Sequence, residues 1–315
     1  MKIKLKYGIE SEFLTITKFP SGEPCVKWKP DVLFKAVLDE KYRSRIDFSK
    51  FEIQMDRFDY PLLACAVDAL RKVNGEATNI ELFLPYFAGS RQDRVCNIGE
   101  ALSVKVYADM INALKFNRVT IMDPHSDVTP ALIDNVNVIP HGQYSNNNTW
   151  SIIDRFFEDQ NRPEKIFVIA PDVGASKKVQ NLIRSFNENW ENPLPKPEIV
   201  FGQGLKYRDT KTNELSGFGV DNEDFENCPI LVTDDLNCKA GTFLGLGEIL
   251  KEKNAGVIAL YTTHVDCYEG IQNVINSAYY EHYYTTNSEY DWESSLEFQE
   301  RNKKNINRLT IFDVF

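Results

Sequence analysis

The feature that most constrains the fold is an alternation of short apolar segments with longer amphipathic ones, which runs through most of the 315 residues. The apolar segments are rich in β-prone residues and too short for helices, so they predict buried strands. The segments between them have helical periodicity. Strands that alternate with helices indicate parallel sheets with right-handed crossovers. The pattern therefore predicts an α/β protein.

The predicted elements form two groups, separated by a stretch rich in Pro and Asn at 140–149. In the first group a helix begins near Asp59, has Pro61 in its first turn and ends at Gly75. The other predicted helices are 100–116, 176–189 and 241–253, and the predicted strands are 80–87, 118–123, 165–170, 198–201, 229–233 and 256–262. The stretch 279–305 is hard to assign, and the apolar end 309–315 is expected to add a last strand or helical turn. Two domains are expected, 1–145 and 146–315.

Charge and cysteine usage narrow the class of protein. The formal net charge of −10 argues against a partner such as nucleic acid or a membrane surface. The six cysteines are scattered without a Cys-x-x-Cys pair and there are four histidines, so a zinc cage is not expected and a reduced, intracellular protein is. The N-terminus has no signal-peptide pattern, and no run of about 18 apolar residues predicts a membrane span. We expect a cytoplasmic protein.

Polar residues follow the predicted strands at the edge where open parallel sheets bind ligands. The four polar strand ends begin at Asp123, Asp172, Asp234 and Thr263. Each has a simpler interpretation, as a turn, a helix cap or a buried histidine, but their corresponding positions favour a shared site. Carboxylates at three strand ends would repel one another unless a metal or a polyhydroxyl ligand lay among them. There is no Walker loop, and Gly245 with Gly247 lacks the third glycine of a dinucleotide fingerprint.

The most specific of these strand ends is the one after 229–233. Two acids, Asp234 and Asp235, are followed by Ala240-Gly241-Thr242 at the start of a helix. Paired carboxylates accept hydrogen bonds from ribose hydroxyls, while a small turn brings backbone N–H groups to a phosphate at a helix N-terminus. This loop resembles the ribose-phosphate loop of the type I phosphoribosyltransferase fold.

Further motifs extend the resemblance in order from about residue 19 to residue 264. They are Phe19-Pro-Ser-Gly-Glu23, Leu84-Pro-Tyr-Phe-Ala-Gly-Ser-Arg-Gln-Asp-Arg94, Asp123-Pro-His125, Pro171-Asp-Val-Gly174 and Lys206-Tyr-Arg208. On these motifs the chain is identified as a member of the ribose-phosphate pyrophosphokinase family, also called phosphoribosyl pyrophosphate synthetases. The resemblance implies an α/β fold with two doubly wound parallel-sheet domains of the phosphoribosyltransferase type. The N-terminal domain would bind ATP, and the C-terminal domain would carry the ribose-phosphate and pyrophosphate loops and a C-terminal tail.

The resemblance also implies a reaction, in which a sugar anomeric hydroxyl attacks the β-phosphorus of ATP and AMP is released. It implies Mg²⁺ held by His125 and Asp172, and transfer assisted by His125 and by Lys206 and Arg208 from a mobile loop. The residues implied to bind ATP are Phe19, Glu23, Arg91, Gln92 and Asp93. Those implied for the pyrophosphate loop are Asp172, Val173, Gly174 and Ala175, and those for the acceptor ribose phosphate are Asp234, Asp235, Cys238, Lys239, Ala240, Gly241 and Thr242. A homo-oligomer with the ATP site at a subunit interface is implied as well.

Several positions depart from the family pattern. Ser21 replaces an Asp in the adenine-binding segment, Ala175 a second Gly and Val265 a Gly, while Cys238 and Lys239 replace an Asp and a Thr. The last two changes suit a 5′-phosphate that continues into a longer group, so ADP-ribose is an expected acceptor beside ribose 5-phosphate. Viral relatives that rebuild NAD are the precedent, and the location would then be host cytoplasm. A phosphoribosyltransferase and a non-catalytic regulatory paralogue remain alternatives.

Overall fold

The structure, a computed structural model, describes residues 2–5, 9–10, 14–29, 50–55, 58–144, 151–191, 194–208, 215–289 and 305–314. The chain divides into two compact units, Met1–Val138 and Ile139–Phe315. The predicted division between residues 145 and 146 lies outside the described residues, which stop at 144 and resume at 151.

The N-terminal unit contains a mixed sheet and a separate hairpin. Its described strands are β1 Lys2–Leu5, β2 Ile9–Glu10, β3 Leu14–Lys18, β4 Pro24–Trp28, β5 Lys50–Gln54, β6 Asn79–Phe83, β7 Arg118–Met122 and β8 Val136–Ile139, and its described helices are α1 Tyr60–Asn74, α2 Ser103–Ala113 and α3 Val128–Leu132. The sheet has the order β2-β1-β5-β6-β7-β8, and β3 pairs with β4 alone. Strands β5, β6 and β7 are parallel, whereas β1 is antiparallel to β2 and β5.

The C-terminal unit is built on a larger sheet. Its described strands are β9 Lys165–Ala170, β10 Glu198–Arg208, β11 Leu215–Val220, β12 Ile230–Asn237, β13 Ile258–Val265, β14 His282–Thr286 and β15 Leu309–Phe312, and its described helices are α4 Ile152–Asp159, α5 Ser176–Glu188, α6 Gly241–Glu252 and α7 Tyr268–Ile275. The strand order is β11-β10-β9-β12-β13-β14-β15. Every pairing is parallel except that of the edge strand β11 with β10.

Residues of β12 serve both faces of this sheet in turn, because successive side chains of a strand point in opposite directions. Ile230 and Val232 lie in one apolar core with Phe243 of α6. Leu231 lies in a second core with Val179 of α5. Helices therefore cover both faces of this sheet, as the predicted doubly wound α/β arrangement requires.

The described helices follow the local signals in the sequence. Helix α1 begins after Asp59, whose carboxylate accepts a hydrogen bond from the Leu62 amide at 3.1 Å, and it ends at Gly75 with φ 91°. The predicted helix 100–116 is shorter than expected, since α2 spans Ser103–Ala113. Among the described residues, no helix has the length and apolar character that crossing a membrane requires.

Most strands differ from their predicted bounds: β6 ends at Phe83 and not at residue 87, and β10, β12 and β13 extend further than predicted. Strand β12 continues past Thr233, so Asp234 and Asp235 lie inside the strand and not after it, and β13 likewise includes His264. The cause is the ladder between them, which runs on to the pairing of Asn237 with Val265. Main-chain pairing is indifferent to side-chain polarity, so polar residues alone did not mark the strand end. The unassigned stretch 279–305 contains β14, and the apolar C-terminus adds β15 as predicted.

Candidate active site

The N-terminal unit brings two of the predicted site segments together. The Arg-Gln-Asp-Arg segment follows β6, and the Asp-Pro-His segment follows its parallel neighbour β7. Asp93 is buried, and its carboxylate accepts a hydrogen bond from Arg94 Nε at 2.8 Å. It accepts another from Ser126, which follows His125 in the chain. The two segments therefore meet at the carboxyl ends of neighbouring strands.

Asp93 is held in its ionised form. The hydrogen bond from Arg94 is the largest cause that lowers the pKa of Asp93, to about 2, and burial opposes it. The hydrogen bond from Ser126 and the charges of Arg94 and His125 lower this pKa further. Because the group stays charged throughout the neutral range, it serves as a fixed anion between the two segments.

Arg91 and Gln92, which precede the buried Asp93 in the chain, are exposed. The Ser103 hydroxyl, at the start of α2, donates to the side-chain oxygen of Gln92, and the Gln92 amide donates to the Gly89 carbonyl at 3.0 Å. Gly89 has φ +77°, and a Cβ there would lie 2.5 Å from the Tyr107 ring. The turn thus requires glycine and fixes the backbone from which the two exposed side chains project.

The hairpin of β3 and β4 carries Phe19 and Glu23 on its turn. The Phe19 side chain is 55% exposed, and its amide donates to the Glu23 carbonyl at 2.9 Å. The Ser21 hydroxyl donates to the Glu23 carboxylate, and this hydrogen bond is the main cause that lowers the pKa of Glu23. Ser21, where the family has Asp, therefore orients the neighbouring acid. A cavity of about 350 Å³ lies between the hairpin and the start of α1.

In the C-terminal unit, the predicted pyrophosphate loop joins β9 to α5. The Ala175 amide donates to Asp172 Oδ1 at 3.3 Å, and a Cβ on Gly174 would lie 3.2 Å from the same oxygen. Val173 is 69% exposed, and Gly174 is exposed as well. On the other side, a Cβ on Gly204 of β10 would lie 2.6 Å from the Pro171 carbonyl oxygen. The loop is thus fixed at its base and open at its tip.

Asp234 and Asp235 lie at the end of β12, the parallel neighbour of β9. The Asp235 amide donates to Asp234 Oδ1 at 2.9 Å. Burial, followed by the charges of Asp235 and Asp172, raises the pKa of Asp234 well above its usual range. The acids of both loops therefore share one electrostatic environment, in which a cation or a hydroxyl donor would relieve repulsion.

Asn237, which the sequence interpretation did not single out, organises the loop that follows. It is fully buried, and its Nδ2 donates to the Gly270 carbonyl and to the Tyr283 hydroxyl, both at 3.0 Å. Its Oδ1 accepts from the Ala240 amide at 2.9 Å. Ala240 has a left-handed backbone, with φ 63°, and α6 begins at Gly241. Because the first amides of a helix lack partners within it, this turn presents N–H groups to an anion.

The two family departures lie on the α7 side of this loop. The Cys267 thiol donates to the Cys238 carbonyl at 2.7 Å, and burial together with the charge of Asp266 raises the pKa of the Cys238 thiol. The Lys239 side chain is 70% exposed, with its Nζ 3.6 Å from Glu269 Oε2. Lys239 therefore lies at the outer rim of the loop and does not crowd the turn at Ala240.

Lys206 and Arg208 lie in strand β10, which corrects the expectation that they belong to a loop. Lys206 pairs with Phe218 and Arg208 with Leu215 of β11, with a register shift between Tyr207 and Arg208. Residues 209–214 and the side chains of 206–208 lie outside the described part. The sequence predicted the start of this strand at 198–201 but not its continuation, because the apolar pattern ends at Phe201 while antiparallel pairing with β11 carries the strand onward.

No family model matches the chain, but comparison with curated proteins gives several relatives that are named ribose-phosphate pyrophosphokinase. The ribose-phosphate pyrophosphokinase of Ureaplasma parvum is 24% identical over 266 residues, which are 84% of this chain and 71% of that protein. That of Marinomonas sp. is 28% identical, over 68% of this chain and 62% of the relative. That of Pyrococcus furiosus is 26% identical, over 79% and 76% of the two chains.

A crystal structure of phosphoribosylpyrophosphate synthetase from Mycobacterium smegmatis superposes with a TM-score of 0.66 over 95% of this chain and 85% of that one, at 18% identity. It shows that the two chains share a fold. The predicted α/β fold of the phosphoribosyltransferase type is thereby confirmed. The curated relatives confirm the resemblance to ribose-phosphate pyrophosphokinases, a family of transferase enzymes, that the motifs indicated. Their names give no support to an ADP-ribose acceptor.

For several relatives the match covers less than two thirds of their length, as with the 62% of the Marinomonas protein and 55% of the Corynebacterium efficiens protein. The roles of individual residues of this chain stay predictions. Within each unit the structure does bring predicted residues together: Asp93 with His125, and Asp172 with Asp234.

Proposed function

We propose that this protein transfers the β,γ-pyrophosphoryl group of ATP to the anomeric hydroxyl of a ribose 5-phosphate compound, with release of AMP. The observation that carries the proposal is the pairing of two loops on neighbouring parallel strands. One is the open loop after β9. The other comprises the acid pair in the last half of β12 and the turn that leads into α6, and both lie at one edge of the same sheet. A sugar that received pyrophosphate at its first carbon would need both.

The acceptor loop supplies the groups that a ribose 5-phosphate needs. Asp234 and Asp235 would accept hydrogen bonds from the ribose hydroxyls. The turn at Cys238 and Lys239, with Gly241 and Thr242 at the start of α6, would donate backbone and hydroxyl hydrogen bonds to the phosphate, while Ala240, whose amide donates to Asn237, shapes the turn through its left-handed backbone. The fixed turn that Asn237 maintains supports this assignment, since its amides need no rearrangement to face an anion.

The residues present fit Mg²⁺. By the family resemblance Asp172 and His125 are each candidate Mg²⁺ ligands, directly or through water, and the mutual repulsion of Asp172 and Asp234 favours a cation beside these two carboxylates. Among the described residues no group of three or more His, Cys, Asp or Glu could form a complete metal cage. Mg²⁺ in phosphate-transfer sites commonly takes one or two carboxylates, with substrate phosphates and water completing its shell. When bound, it would neutralise charge that develops on the phosphate oxygens.

The cationic residues would act on the transferring group. Lys206 and Arg208, together with His125, would stabilise the charge that forms between attacking and leaving oxygens. The pyrophosphate would lie against the tip at Val173 and Gly174 and the following Ala175.

ATP would be bound by Arg91, Gln92, Phe19 and Glu23, with Asp93 holding the first two in place through its contacts to the neighbouring segment. Phe19 and Glu23 would act from a neighbouring subunit, so a homo-oligomer belongs to the proposal. The exposed aromatic ring of Phe19 supports such a role, since adenine stacks on aromatic faces. No role for nucleic acid or a membrane is proposed, and the cytoplasmic location stays a prediction.

The position of Lys239 favours a second acceptor, ADP-ribose, for the same reaction. Its exposed ammonium group lies at the rim of the loop, where it would meet a group attached to the 5′-phosphate. In ADP-ribose that group is a second phosphate, whose charge Lys239 would partly neutralise.

The test is incubation of the purified protein with ATP, Mg²⁺ and either ribose 5-phosphate or ADP-ribose, with nucleotide products separated by chromatography. We expect AMP in proportion to acceptor consumed. Formation of ADP, or no AMP with either acceptor, would contradict the proposal, and the second result would favour a regulatory paralogue. A phosphoribosyltransferase would instead release pyrophosphate from phosphoribosyl pyrophosphate and a base. A tenfold preference for ribose 5-phosphate in kcat/KM, about 1.4 kcal/mol of transition-state binding, would exclude ADP-ribose as the preferred acceptor.

A further inference from the structure

Lys178 reaches from one of the two loops toward the other. It is the third residue of α5, which starts directly after the loop at Asp172. Its Nζ lies 3.5 Å from Asp235 Oδ1, and the two side chains are only 20% and 10% exposed. This ion pair connects the helix after β9 with the end of β12.

The face on which Asp235 lies explains the pairing. Residues two apart in a strand share a face, so Asp235 lies on the same face as Leu231, which contacts the core that includes α5. Asp234 lies on the opposite face, with the residues that contact α6. The two acids are therefore not equivalent, and Lys178 forms its ion pair with Asp235.

The length of the contact also matters. A strong hydrogen bond between an ammonium group and a carboxylate has a donor–acceptor distance of about 2.7–2.9 Å, so 3.5 Å marks a charge contact with room to adjust. In a largely buried setting such a contact is weakly screened and directs the carboxylate strongly. It restrains Asp235 without fixing the carboxylate in a single short hydrogen bond.

We propose that Lys178 is a positioning residue that holds the Asp235 carboxylate in the orientation required to bind the acceptor ribose. This inference rests on the proposed function, because it takes Asp235 as a ribose ligand. Without Lys178, Asp235 would lie beside the charges of Asp234 and Asp172 with a weaker restraint. The acceptor would then bind less tightly, while ATP binding would be unchanged.

The experiment compares Lys178→Met with Lys178→Arg and with the control Lys177→Met, an exposed neighbour on the same helix. Binding of ribose 5-phosphate is measured by calorimetry without ATP, and thermal unfolding checks that each variant is folded. We expect Lys178→Met to raise the Kd about tenfold, the change that about 1.4 kcal/mol of lost binding produces. Lys178→Arg should recover most of this loss, and Lys177→Met should change Kd by about twofold or less, as exposed substitutions do.

Asp235→Asn provides the second arm. If Lys178 acts through Asp235, then Lys178→Met should weaken acceptor binding much less in the Asp235→Asn background than in the wild type. An equal loss in both backgrounds would overturn the inference, and so would a rise in the KM for ATP with acceptor binding unchanged, since Lys178 would then contact the phosphates of ATP. A drop in the thermal stability of Lys178→Met with an unchanged Kd for ribose 5-phosphate would also overturn it, because the ion pair with Asp235 would then only stabilise the fold.

Because ribose 5-phosphate binding is measured without ATP, the role of Lys178 can be tested independently of the proposed pyrophosphoryl transfer. A wild type that binds ribose 5-phosphate and shows the Lys178 effect, yet releases no AMP, would remove the proposed reaction and leave the inference standing. A wild type that binds no ribose 5-phosphate would overturn the inference.

Discussion

At the scale of single residues, Asp93 is a strongly perturbed charge among the described residues of the N-terminal unit. Its pKa falls from 3.8 to about 2 because Arg94 and Ser126 donate to it. A pKa lowered by folding gives stability that is present above the unfolded value and is lost as the pH falls toward the folded value. The contribution is about 2 kcal/mol at neutral pH, with only 4% of the side chain exposed.

We therefore expect Asp93→Asn to lower the free energy of unfolding at pH 6 and to lower it less at pH 3. Urea unfolding of the wild type and the variant at each pH gives the difference between their free energies of unfolding. Other acids titrate in both proteins, so their contributions cancel in this difference. Asp109→Asn, which removes an exposed acid of α2, is the control. A difference that stays constant between pH 6 and pH 3 would show that the Asp93 carboxylate gains nothing from its partners.

Two single residues show what the sequence could not provide. Asn237 looks like an ordinary turn residue in the sequence, and its importance depends on Gly270 and Tyr283, which lie 33 and 46 residues further along the chain. Lys178 reads as a surface charge on a helix, because periodicity does not reveal an ion pair between separate elements. The motif therefore identified the acids and small residues of the loop. It did not identify Asn237 and Lys178, the side chains that hold them in place.

At the scale of elements, the ribbon of β10 and β11 carries the residues proposed to act on the transferring group. Lys206→Ala and Arg208→Ala are expected to lower kcat by about 10²–10³, because each cation would face charge that forms only in the transition state. Steady-state kinetics with ATP, Mg²⁺ and the acceptor measure the effect. Tyr207→Phe is the matched control, since it changes the residue between them by removing one hydroxyl group and no positive charge.

Near-normal kcat in both alanine variants would remove these residues from the mechanism. A loss in Tyr207→Phe as large as theirs would show that the ribbon itself is disturbed.

Strand bounds mark the limit of prediction for elements. The alternation of apolar and amphipathic segments predicted β9, α5 and α6 closely, because burial on both sheet faces selects uninterrupted apolar runs. It failed where strands β10 and β12 continue as polar sequence. In both cases a neighbouring strand supplies the hydrogen bonds, which are not encoded in the side chains.

At the scale of the whole molecule, the proposal predicts that active sites are shared between subunits. A Lys206→Ala chain would keep an intact hairpin, and a Phe19→Ala chain would keep an intact transfer ribbon. Mixed oligomers of the two would then contain complete sites that neither parent has. We expect co-expressed, doubly tagged and co-purified oligomers to release AMP faster than either parent oligomer.

A mixed oligomer whose rate equals the mean of the two parents would place the hairpin in the site of its own chain. Oligomers that carry Lys206→Ala in every chain, purified with the same two tags, control for recovery caused by the tags.

The hydrogen bonds of Asn237, which hold the acceptor loop in place, affect the rate at which an acceptor binds. The Ala240 amide is bonded to Asn237, and a Cβ at Gly270 would lie 2.2 Å from the Cys238 carbonyl oxygen, so the loop is closed against α7 before any ligand arrives. A loop that is ordered in advance spends little conformational entropy on association. Capture of the phosphate should therefore be limited by encounter, and discrimination between acceptors should arise in how fast they leave.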